Sequence, residues 1–192
     1  MTYDVNLGIG NSADSGVTGM FYKAPAGTSL PADASSTPGS TWTEVGAVSH
    51  DGITFSPNKD YDDLKNWANK IERQLPSDEP GQVTAPIIYT TEEVMKTIFG
   101  VNNVTVTAAT AQAGKKIKVD MGGNNTPDPQ AFLFIMKDGD DMMMIGTTKG
   151  FVSITSDISF QPDDAITWEA LIKGDWTFMK AAGPTGATGA TS

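Results

Sequence analysis

Residues Ala131 to Ile145 restrict the fold more than any other stretch. Ala131 to Met136 and Met142 to Ile145 are continuously apolar, and Lys137-Asp138-Gly139-Asp140-Asp141 lies between them. Short apolar runs around a charged, glycine-containing turn predict two antiparallel strands joined as a hairpin. The following sequence continues in the same style. From Phe151 to Phe160, the residues Val152, Ile154, Ile158 and Phe160 are set to face a core, while Ser153, Thr155, Asp157 and Ser159 face out. Ile166, Trp168, Ala170 and Ile172 repeat the two-residue period. Many short strands with turn punctuation and a single helix indicate a mainly β chain, an antiparallel β-sandwich or barrel.

The helix is the segment Thr91 to Phe99. Thr90 is placed to cap it with Glu93 three residues on, Val94, Met95, Ile98 and Phe99 form one apolar face, and Gly100 is a natural stop. Glu92 and Glu93 also suit the positive end of the helix dipole. Before it, Gln82 to Thr90 alternates as a strand, with Val83, Ala85, Ile87 and Tyr89 on one face. Pro86 lacks the amide for a ladder bond, so that strand is expected at an edge or with a bulge. After the helix, Val104 to Thr107 and Ile117 to Met121 are further strands, and Gly122 to Pro129 is a turn.

The N-terminal half is less uniform. Residues 1–17 are polar and glycine-rich, and a flexible arm is expected over residues 1–19. Within it, Gly8-Ile9-Gly10 lacks the preceding strand and the later glycine of a phosphate loop. Met20 to Ala24 reads as a short strand and Pro25 to Ser40 as a long loop, a length usually functional or disordered. Trp42 to Gly46 alternates, Asp51-Gly52 supplies a tight turn, and Ile53-Thr54-Phe55 restarts a strand, which together predict a hairpin. Leu64, Trp67, Ala68, Ile71 and Leu75 fall at helical spacing, yet Trp67, Ile71 and Leu75 equally share one face of a strand. From Gly183 onward glycine recurs every third residue, too few triplets for a collagen helix, so a flexible tail is expected over residues 183–192.

The chain has 192 residues, a length suited to one domain, expected over residues 1–182. A chain of this size buries roughly 70% of its unfolded surface and needs no disulfide or metal to be stable. It contains no cysteine, which removes thiol nucleophiles and thiolate metal sites. With 13 basic and 23 acidic side chains the formal charge is −10, and the pI is about 4.4. Tight nucleic-acid binding relies on basic side chains that meet phosphates, so this balance argues against a DNA- or RNA-binding domain. The N-terminus lacks the pattern of a signal peptide, and no window approaches the ~20 apolar residues of a membrane span. A protein that is soluble when made is expected, with no membrane partner.

Candidate chemistry is sparse. His50 is the sole histidine, and it stands in a turn with no nucleophile motif to serve. Asp138, Asp140 and Asp141 could suggest calcium, but Met142, Met143 and Met144 follow where further oxygen ligands are needed. The methionine run suits core filling or an adaptable surface. Trp42, Trp67, Trp168 and Trp176 lie in alternating patterns and read as core or interface anchors. No catalytic, cofactor-binding or metal-binding residue follows from the sequence, and no cofactor is expected.

Ala24-Pro25-Ala26-Gly27-Thr28-Ser29-Leu30-Pro31-Ala32-Asp33-Ala34, the later Trp42-Thr43-Glu44-Val45-Gly46-Ala47-Val48-Ser49-His50-Asp51-Gly52-Ile53 and the helix ending in Phe99-Gly100 together resemble the major tail proteins of long, non-contractile-tailed bacteriophages, especially those of actinobacteria. The resemblance runs from about Tyr22 to Met179. It implies packed antiparallel sheets with one flanking helix, and subunits joined in hexameric rings that stack into a tail tube. It implies a structural virion protein, not an enzyme, made and assembled in the bacterial host cytoplasm. Its partners would be copies of itself and other tail proteins such as the tape measure and tail terminator, with DNA passing through an acidic lumen unbound. Asp157 and Glu169, outward-facing on their strands, are the candidate lumen acids. The resemblance also implies extended chain at Asp63 to Leu75, and a reach toward the neighbouring ring by Pro25 to Ser40 or Pro57 to Pro80. The alternative function is a β-sandwich adhesin or a carbohydrate- or calcium-binding module.

Overall fold

The computed structural model describes residues 18–49, 51–57, 61–76, 80–111, 113–122, 127–138, 141–154, 157–158 and 166–182. Its strands, in chain order, are β1 (Thr18–Pro25), β2 (Thr43–Ala47), β3 (Thr54–Ser56), β4 (Tyr61–Lys65), β5 (Ile71–Pro76) and β6 (Gly81–Ile87). After helix α1 (Glu92–Phe99) come β7 (Val104–Thr107), β8 (Lys116–Val119), β9 (Gln130–Asp138), β10 (Asp141–Ile154), β11 (Trp168–Gly174) and β12 (Thr177–Ala181). Every pairing between these strands is antiparallel. The chain is mainly β, as its alternating pattern predicts.

The hairpin of β9 and β10 is the centre of the molecule, with Asp141 opposite Asp138 and Met144 opposite Ile135. Both faces of β9 are covered, which is why its sequence is continuously apolar. On the inner face Phe132 and Phe134 join Phe21 of β1, whose ring stacks on Phe134 at 4.6 Å between centroids. On the outer face Leu133 and Ile135 join Met144, and the segment between β1 and β2 lies over them through Leu30, Ala34 and Trp42. That segment is ordered by Asp33, whose carboxylate accepts from the Ser35 amide at 2.9 Å and from the Ser35 and Ser36 hydroxyls. The long loop Pro25 to Ser40 thus packs on its own sheet.

The main sheet runs β2-β1-β9-β10-β11-β6-β3, with β12 added to β10. Past the end of β2, Val48 bridges Ile87, and the Ser49 amide donates to the Pro86 carbonyl at 2.8 Å. These contacts tie the continuation of β2 to β6, alongside β3, and curl the sheet into a barrel. They also correct the hairpin expected around Asp51-Gly52: β2 pairs β1, β3 pairs β6, and the turn is a corner that carries the chain across the seam. Pro86 sits at this seam. In an antiparallel strand a residue's N–H and C=O point to the same side, so the missing amide of Pro86 faces Ser49 and leaves the ladder to β11 intact.

The barrel interior is filled by Phe21, Val83, Ile87, Phe132, Phe134, Trp168 and Ile172, with Val94, Met95 and Ile98 of α1 packed against them. The helix cap lies one residue later than the sequence pattern places it. Thr91 Oγ1 accepts from the Val94 amide at 3.3 Å, while Thr90 Oγ1 accepts from Trp168 Nε1 at 3.0 Å. A tertiary partner for Thr90 outweighs the local capping box. β10 also differs from expectation. Val152 is buried and Ile154 packs on the core, but the strand ends at Ile154, and Asp157 and Ile158 follow outside any strand. Phe160 lies outside the described residues. Along one side β10 pairs first β12, at Met142 to Gly146, and then β11, at Gly150 to Ile154. At the changeover a Cβ on Gly150 would come 2.7 Å from Phe132 and 2.9 Å from Ile172, so only glycine lets the strands meet so closely.

Candidate functional site

β4 and β5 form a two-stranded sheet of their own, which settles Asp63 to Leu75 as extended chain despite its helical spacing. The apolar residues Leu64, Trp67 and Ile71, whose period suggested a buried helix face, are all exposed, and Trp67 at the tip is exposed over its whole surface (107%). The tip itself is tightly bonded. Asn66 Oδ1 accepts from the Ala68 amide at 2.9 Å and the Lys70 amide at 3.1 Å, and Asn66 Nδ2 donates to Glu72 Oε1 at 2.6 Å. Asn69 holds φ 58°, a left-handed conformation that asparagine tolerates better than most residues.

On the barrel body, the core face continues into an open groove lined by Ile53, Phe55, Met136, Ile145, Trp176 and Phe178, with a cavity volume of about 260 Å³. Phe55 is 45% and Phe178 59% exposed. Phe178 lies opposite Ile145 on β10, so its ring is on the core side of the sheet but past the point where β6 and α1 cover that side. Trp176 forms the deeper wall, its Nε1 donating to the Gly81 carbonyl at 3.2 Å.

The other sequence candidates fall in separate places. Glu169 is half-buried on β11, on the face opposite Trp168 and Ala170; Asp157 is exposed beyond β10. The last pair of the β10–β11 ladder, Ile154 with Ala170, puts both acids at the same end of those strands. His50, Gly139 and Asp140 lie outside the described residues. Asp141 pairs with Lys180 at 2.7 Å across the β10–β12 ladder. Of the methionines, Met144 is buried and Met142 packs beside it in the outer core. Of the four tryptophans, Trp168 is core, Trp42 and Trp176 are half-buried anchors, and Trp67 belongs to neither a strand nor the core.

A family model described as phage tail tube protein matches residues 11–172. The chain belongs to this family. No curated protein matches it. A tail tube protein is a structural component of the virion tail and assembles with copies of itself and with other tail proteins. Among the described residues, no helix is long and apolar enough to cross a membrane.

In this tail tube protein the helix is fastened by charge as well as by its apolar face. Lys23 of β1 meets Glu93 at 2.9 Å, and Glu92 meets both Lys96, one turn on, and Lys115 at the start of the β7–β8 hairpin's second arm. The ammonium groups of Lys115 and Lys96, bonded to its carboxylate, hold the Glu92 pKa down at about 2. Sequence reading missed Asn66 and the groove. Paired asparagines spaced around Trp67 are a turn signal that could have flagged the tip. The groove has no local signal, because Phe55, Met136 and Phe178 meet only through sheet topology.

Proposed function

We propose that this tail tube protein is the tube subunit of a siphovirus: copies close into hexameric rings, the rings stack, and genomic DNA passes down an acidic lumen during ejection. Residues 1–182 act as the tube domain, with an N-terminal arm and a C-terminal tail at residues 183–192. Assembly takes place in the host cytoplasm, together with the tape measure and tail terminator proteins.

The observation that carries this reading is the family match across residues 11–172. Physical features support it. A two-stranded hairpin is marginal in water by itself, yet β4–β5 holds three large apolar side chains outward, which suits a subunit completed by its neighbours. Closed cyclic contacts fix a ring, and head-to-tail contacts between rings extend without limit. A formal charge of −10 repels phosphates, so a lumen that includes Asp157 and Glu169 lets DNA slide without adhering.

Electron microscopy of the concentrated, purified protein tests this, with stacked six-fold rings as the expected result. A protein that stays strictly monomeric even with the tail's initiating components sinks it.

A further inference from the structure

We propose that Trp67 at the tip of the β4–β5 hairpin is a knob that seats in the Phe55–Trp176–Phe178 groove of a second copy of the chain. The proposal rests on the self-assembly reading and assigns the two surfaces that meet.

The knob is built for burial elsewhere. A fully exposed tryptophan forfeits a large hydrophobic gain, and the Asn66 bonds hold the tip in shape before any partner arrives. Little ordering entropy is then left to lose on docking. The groove is the complementary defect, a concave apolar continuation of the core with two half-exposed aromatic rings.

Charge fits as well. Lys65, Lys70 and Arg73 outnumber Glu72 around the knob, whereas Asp175 precedes Trp176 and Asp51 precedes the Gly52–Ile53 side of the groove. Basic knob and acidic rim attract each other across copies and repel like surfaces. Trp67 is exposed over its whole surface, so it does not occupy the groove of its own chain. Because knob and groove are different surfaces of one chain, a docked pair still offers one free knob and one free groove, so the contact propagates.

Three substitutions and a cross-link test this in the full-length protein. Trp67→Ala is expected to weaken ring-to-ring stacking by at least about thirtyfold in the concentration needed for tubes, as for a central aromatic anchor. Since the chain has no cysteine, Ala68→Cys beside the knob and Thr177→Cys beside the groove give single thiols. A mixture of these two variants treated with a short bismaleimide is expected to form mixed dimers, and adding Trp67→Ala to the Ala68→Cys chain is expected to abolish them. Tubes that form equally well from Trp67→Ala, with cross-linking unchanged, overturn the seat and leave the tube reading standing. An unaltered chain that does not assemble, together with cysteine variants that do not cross-link, overturns both.

Discussion

Trp168 joins the start of the helix to the barrel, and its replacement by phenylalanine separates two contributions that normally act together. The indole is 2% exposed, donates from Nε1 to Thr90 Oγ1 at 3.0 Å, and meets the edge of Phe99 at 5.7 Å and 88°. The hydrogen bond is worth about 1 kcal/mol net. Loss of the second ring in a filled core adds about 1–2 kcal/mol, against about 3–5 kcal/mol for full truncation to alanine. Trp168→Phe should therefore cost about 2–3 kcal/mol. For a chain of this length each kcal/mol moves Tm by about 2–4 °C, so a fall of about 4–12 °C is expected. Thr90 is exposed, so Thr90→Val should cost only about 1 kcal/mol, through the same bond. Thermal unfolding followed by far-ultraviolet circular dichroism, below the assembly concentration, measures both variants and their combination. The double variant should be less destabilised than the sum by about 0.5–1.5 kcal/mol. Strict additivity would show that the indole and the hydroxyl do not interact, and a Trp168→Phe shift under 2 °C would show that the ring does not fill the core as described.

Two further outcomes are expected of the helix. Gly100 closes it at φ 86° and ψ 148°, a conformation that essentially only glycine adopts, with the Pro127 Cα 3.4 Å from where a Cβ would stand. Gly100→Ala should cost about 1–3 kcal/mol, seen in urea unfolding as a lower midpoint with an unchanged slope; an unmoved midpoint contradicts it. Glu92 has a folded-state pKa of about 2, below its ordinary 4.5. Its unfolded form therefore binds a proton first as pH falls, so its contribution is complete above about pH 4.5 and is lost on the way down to about pH 2. The Tm of the unaltered chain should fall more steeply across that window than that of Glu92→Gln, and identical profiles would refute the ionic fastening of α1.

Much of the architecture is legible in the sequence because the barrel is built from local rules. The β9–β10 hairpin, the alternation through Ile154, the helix and its glycine stop all follow from apolar period and turn chemistry that act within a few residues. The errors share one cause, namely partners distant in sequence. Trp168 claims Thr90 and moves the cap to Thr91; Val48 finds Ile87 and turns an expected hairpin tip into a seam. At Leu64, Trp67 and Ile71 the helical period is a coincidence of exposed residues. The candidate site divides in the same way. The tip of the hairpin carries its own turn residues, whereas the groove is assembled from β3, β9, β10 and β12 and the residue before β12, and no window of sequence contains it.

The two-sided cover of β9 also bears on folding errors. Strand register is usually enforced by polarity, because a one-residue slip turns an apolar face to water. Here a slip of β9 against β10 would exchange one apolar face for the other at little hydrophobic cost. Shape has to supply the discrimination that polarity cannot. Gly146 accommodates Leu30 and Leu133, where a Cβ would stand 2.6 Å and 3.0 Å from their methyl groups, and Gly150 makes room for the Phe132 ring. Shifted by one, β10 would bring Ile145 or Thr147 into the first gap and Phe151 or Lys149 into the second. Two absent side chains thus act as the proofreading marks of the central hairpin, rejecting by collision a misalignment that water would not detect.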